Sequence, residues 1–193
     1  MEILMTEISV KSEIADPEKW ILEKQGELQI HQFGFTTTDQ LVIYPEVRGL
    51  CEMNSCGRYG KSWVCPPAVG TPEECREKIL QYRNVFVFST KHDIEDSFDF
   101  DGMMAAKNAH ETVSRDAAAF FKTLVHTDLL ILTGDGCSRC PECTYPDAPC
   151  RFPGEVYPPV ESYGIEVYRL AQTVGINYVS GENMVTYFSC IMY

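Results

Sequence analysis

No stretch of this 193-residue chain is apolar for long enough to span a bilayer. The longest such runs, residues 85–88 and 129–132, read as buried strands, and no membrane partner is expected. Positive charge is also scarce: 16 Lys and Arg stand against 28 Asp and Glu, a net charge of −12. Such a surface repels phosphate backbones and anionic lipid on average. The basic residues around Arg48, Arg58 and Lys61 are few and carry little aromatic interleaving, so no nucleic-acid partner is expected. The chain has neither GxGxxG nor a Walker loop, and nucleotide-driven chemistry has no sequence basis. Near Met1, the acids Glu2 and Glu7 stand where an export signal would have a basic start and a long apolar run, which places the expected location in the cytoplasm.

Cysteine, by contrast, is abundant. Nine cysteines in a chain expected to meet reducing conditions argue for metal ligation over a disulfide framework. The odd number also leaves one outside any paired scheme. With 45% hydrophobic and 23% charged residues the chain has material for a core, and one domain over residues 1–193 is the expectation.

Along the chain, Asp16-Pro17-Glu18 offers a cap and a helix to about Lys24. Residues 41–44 read as a strand leading into the first cysteine group. Thr71-Pro72-Glu73-Glu74 starts a helix expected to reach about Tyr82. Residues 85–88 follow as a strand covered on both faces, and helical spacing from Met103 to Leu124 marks the longest helix. Residues 128–133 read as a strand that Gly134-Asp135-Gly136 turns into the second cysteine group. A helix over 160–174, stopped by Gly175, and two strands, 176–179 and 185–192, joined as a hairpin, close the chain. The fold class expected is α/β: a mixed sheet covered by helices, with two cysteine-rich metal-binding loops.

The sharper group is Cys137-x2-Cys140-x2-Cys143-x6-Cys150. Three thiols at steps of three let one loop wrap a cube-shaped cluster while backbone N–H groups turn toward its sulfur, the pattern of [4Fe-4S] sites. A zinc ion held by four cysteines is the alternative, although three ligands within seven residues crowd a single tetrahedral ion. The second group is Cys51-x4-Cys56-x8-Cys65, with Pro66-Pro67 behind it and Cys75 ten residues on. Cys75 is weighed evenly between a ligand and an ordinary helix residue. Cys190, among Phe188, Ile191 and Met192, reads as buried filler, and His31, His92, His110 and His126 as structural or surface residues.

The chain resembles the DUF2284 family of predicted metal-binding proteins. The resemblance rests on Cys56-Gly-Arg-Tyr-Gly-Lys-Ser-Trp-Val-Cys65-Pro-Pro, on the run from Cys137 to Cys143, on Pro149-Cys150-Arg151 and on Pro158-Pro-Val-Glu-Ser-Tyr-Gly-Ile-Glu-Val167. It departs from the family pattern at Phe152 and Tyr157. What it implies is a metal-binding, iron-sulfur protein. The functional expectation is therefore one or two [4Fe-4S] clusters in electron transfer or in a redox enzyme, with a redox protein as partner; a zinc-stabilised scaffold is the other reading. Whether the chain is an enzyme, and whether it forms a homodimer, stay open. If the first group has only Cys51, Cys56 and Cys65 as ligands, its cluster keeps an open iron, with Arg58, Tyr59, Lys61 and Glu161 as candidates for its surroundings.

Overall fold

Alternation along one strand decides the architecture. In β2 (Asn84–Asp93), Val85 and Val87 face one way and Phe86 and Phe88 the other, and all four are fully buried, so the sheet is covered on both sides. The computed structural model describes residues 17–125 and 127–193. Its four strands lie in the order β1-β2-β4-β3, with β1 at Gln32–Thr37, β3 at Leu130–Leu132 and β4 at Met184–Met192. The α/β class expected from the sequence holds. All three ladders are antiparallel, where a mixed sheet was anticipated, and among the described residues the parallel pairing is one isolated bridge, Thr133–Pro159.

On one face α4 (Phe100–Leu124) and α1 (Pro17–Lys24) bury Val113, Ala117, Phe121 and Ile21 against Phe86, Phe88, Ile131 and Ile191. On the other, α3 (Pro72–Ile79) and α5 (Val167–Thr173) bring Cys75, Ile79, Leu170 and Ala171 onto Val85, Val87, Leu132 and Cys190. The Thr71 cap of α3 is a full capping box: its hydroxyl accepts from Glu74 N–H while the Glu74 carboxylate accepts from Thr71 N–H.

Several elements differ from the sequence reading. Residues 41–44 form no strand; Val42 is exposed and Ile43 makes one bridge, to Ile165. The edge strand is instead β1, whose Gly34 hides it: a Cβ there would lie 2.7 Å from the Val174 carbonyl oxygen, so close packing has replaced a strand-forming side chain. Proline-led α2 (Pro45–Glu52) occupies what read as a connection and carries Cys51. The expected 160–174 helix breaks at Gly164, where φ of +76° ends a 3-10 turn (Val160–Tyr163) before α5 begins. Residues 176–179 are irregular and mostly exposed, so no hairpin forms. The expected cap Asp16, the residues read for an export signal and His126 lie outside the described residues.

Toward the C-terminal end of β3 the apolar layer beneath α4 turns polar. His92 Nε2 meets Thr90 Oγ1 at 3.0 Å, Thr90 Oγ1 meets His110 Nδ1 at 2.8 Å, and His110 Nε2 meets Ser189 Oγ at 2.8 Å. Ser189 donates onward to Thr133 Oγ1 at 3.1 Å, and Ser114 joins it at 2.8 Å. Burial pushes His110 down to about 3, with His92 acting in the same direction against a Phe188 backbone contact. The unfolded chain takes up this proton below about pH 6.5 and the folded chain only near 3. The network's contribution is therefore complete above about pH 6.5 and is lost toward pH 3, by about 1.4 kcal/mol for each pH unit. Urea titrations at pH 7 and pH 5 should show the advantage of the unaltered chain over His110→Gln shrinking at the lower pH. An advantage independent of pH would exclude a neutral buried imidazole.

Candidate metal centres

Residues 137–150 leave the sheet directly from β3, and their loop is pinned from several sides. Trp63 Nε1 donates to Ala148 O at 3.0 Å and its ring meets Tyr145 edge-on at 4.9 Å. Arg151 donates to Glu142 O at 2.9 Å, while the Arg139 guanidinium lies 4.8 Å from the Phe152 ring centre and 3.3 Å from Glu155. Phe152, where the chain departs from the family pattern, thus serves as a platform for a cation. Cys137, Cys140, Cys143 and Cys150 all line one cavity of about 390 Å³. Two backbone amides point at its sulfurs: Arg139 N–H at Cys137 Sγ and Phe152 N–H at Cys150 Sγ, each at 3.4 Å. Amides so placed stabilise thiolate charge.

The other group gathers from three separate segments. Cys51 lies in the last turn of α2, and the chain then turns through left-handed Asn54, Gly57 and Gly60 to bring up Cys56 and Cys65. These three cysteines share a cavity of about 180 Å³ with Asp135 from the turn after β3 and Glu161 from the 3-10 turn. A Cβ at Gly136 would come within 2.5 Å of Arg58 Cδ, so any larger residue there would displace the Arg58 side chain. Arg48, buried on α2, holds the assembly together by donating to Ser162 O and, at 2.5 Å, to Gly70 O.

Burial raises the thiol pKa of Cys51, Cys65 and Cys137, with Cys65 reaching about 11, so these groups carry protons at neutral pH until a cation displaces them. Arg48 opposes the shift at Cys51, while Glu161 adds to it. Glu161 itself is pushed up to about 7, mainly by burial, with nearby Asp135 contributing.

Cys75 stands apart. Its side chain is fully buried in the same core cluster as Ile79 and Val87, with its sulfur 3.9 Å from Arg48 and 3.7 Å from Val69 O, and it does not line the three-cysteine cavity. Cys190 is filler in the same core, as read from the sequence. His92 and His110 belong to the polar layer. Of the residues anticipated around the first group, Arg58, Tyr59 and Glu161 line its cavity, whereas Lys61 lines the other. Asp135 escaped the sequence reading as a site residue, although its place two residues before Cys137 was the available signal.

The two cavities share a wall. Cys56 and Arg58 line both, and Arg58 donates to Cys137 O at 2.5 Å, tying the two loops to each other. Among the described residues no three His, Cys, Asp or Glu donors converge closely enough to hold a single ion. The cysteines instead line two open cavities. No helix among the described residues is long and apolar enough to cross a membrane.

Residues 35–193 match a protein family described as "Predicted metal-binding protein (DUF2284)". No curated protein and no solved structure matches the chain.

Proposed function

The chain belongs to the DUF2284 family of predicted metal-binding proteins, and from that premise we propose that it is an iron-sulfur protein carrying a [4Fe-4S] cluster in each cavity. The observation that carries this reading is the four-cysteine cavity, with two backbone amides aimed at its sulfurs. Such a cluster, when bound, supplies a one-electron store whose potential follows from charge, hydrogen bonds to sulfur and solvent access. The shared wall at Cys56 and Arg58 would let an electron pass between the two sites without crossing solvent. The Arg139–Phe152 pair and the Trp63–Tyr145 contact hold the four-cysteine loop near the surface, where a redox partner can approach. With a net charge of −12, the chain would dock on a basic partner surface.

The test is iron, acid-labile sulfide and zinc analysis with EPR on protein purified without oxygen. Brown protein with about eight irons and eight sulfides per chain, giving EPR signals on reduction, supports the reading. Colourless protein containing zinc would replace it with a structural zinc site. Cys75→Ala should leave iron and sulfide at the level of the unaltered chain while lowering stability by about 1 kcal/mol or more, because its sulfur is core packing. Loss of half the iron would return Cys75 to the ligands.

A further inference from the structure

The three-cysteine cavity holds one thiolate fewer than a [4Fe-4S] core has irons. Cys75, the remaining cysteine of that group, is buried elsewhere with Arg48 and Val69 O as neighbours. What the cavity offers in its place is carboxylate. Glu161 comes from a 3-10 turn whose geometry is fixed on both sides, by Arg48 bonded to Ser162 O and by left-handed Gly164. Its charge reaches Cys51, and among the described residues no cationic side chain forms an ion pair with it. A partly buried carboxylate beside three thiols, without a cation of its own, is a ligand waiting for a positive centre.

Building on the two-cluster reading, we infer that Glu161 is the fourth ligand of the cluster held by Cys51, Cys56 and Cys65, and that the iron it binds is the exchangeable one. Carboxylate is a harder and weaker partner for cluster iron than thiolate. The iron at that corner is therefore the one a small oxygen-donor molecule can reach by displacing the carboxylate, whereas the four-cysteine cluster has no such corner. The division of labour follows: the all-cysteine cluster moves electrons, and the mixed-ligand cluster binds.

The mixed ligation has a spectroscopic consequence. Ferricyanide removes one electron from a [4Fe-4S]2+ core, which releases its weakly held iron as Fe2+ and leaves [3Fe-4S]+; ferricyanide is reduced to ferrocyanide, and charge and iron balance. In the unaltered, anaerobically prepared chain, brief ferricyanide treatment should release about one iron of eight and produce a [3Fe-4S] EPR signal. Glu161→Ala and Glu161→Gln should release that iron roughly tenfold faster or more, and Cys75→Ala at the unaltered rate, with far-UV circular dichroism confirming that each variant is folded. The inference fails if the Glu161 variants release iron no faster than the unaltered chain, or if Cys75→Ala alone accelerates release. It also fails if the unaltered chain gives no [3Fe-4S] signal. A chain holding only four irons, all lost on removing Cys140 and Cys143, would instead overturn the two-cluster reading and this inference with it.

Discussion

Replacing Cys140 and Cys143 together by Ala should remove about half of the iron and sulfide from anaerobically prepared protein and leave the other half in place. Both sulfurs line the four-cysteine cavity and neither lines the three-cysteine one, so the loss is confined to one site. Two remaining thiolates cannot hold a cubane. The surviving cluster should keep the signature of mixed ligation, including its [3Fe-4S] signal under ferricyanide. Iron analysis and EPR on one preparation decide the matter. Retention of all the iron would remove these cysteines from the ligand set, and complete loss would mean that the two pockets load as one unit.

Phe86→Ala should cost about 3–5 kcal/mol of stability, read as a fall in the urea midpoint with an unchanged slope. The ring is fully buried in the central strand, stacked 4.8 Å from Phe121 and 5.4 Å from Phe88, with Phe35 at 5.1 Å. Because β2 is held between β1 and β4, the surrounding backbone has little freedom to close the void. The change lies on the α4 face, whereas the three-cysteine site borrows α2, the Gly134–Gly136 turn and the 3-10 turn, so metal content per folded chain should stay the same. A loss below about 1 kcal/mol would mean that α4 can settle onto the sheet.

The parts of this fold legible in the sequence were those specified by local pattern. The unbroken apolar run at 85–88 announced a doubly covered strand, Thr71-Pro72 announced a capped helix, and the spacing from Met103 to Leu124 announced α4. What escaped was set by tertiary contact. Gly34 makes β1 a poor strand by composition and a good one by its fit against Val174. Residues 176–179 carry strand-forming side chains but pair with no strand among the described residues. The cysteine groups followed the same division. Residues 137–150 could be read as one site because the ligands adjoin in sequence, and the structure places all four around one cavity. For the first group, the sequence offered Cys75 by proximity and Glu161 as a neighbour, and the cavity is lined by Glu161 but not Cys75; Asp135, 84 residues beyond Cys51, was brought there by the fold alone. Spacing along a chain carries no record of such pairings.

The two pockets therefore differ in when they can first exist. The 137–150 loop carries its four cysteines on one short span, so a newly made chain has that donor set complete before β4 has been synthesised. The other pocket needs α2, the Gly134–Gly136 turn and the 3-10 turn already docked on one another, with Arg48 as the clasp. If both pockets take a metal centre, loading would have a direction: the loop could be charged early, whereas the pocket lined by Glu161 could be charged only once the fold around it is finished.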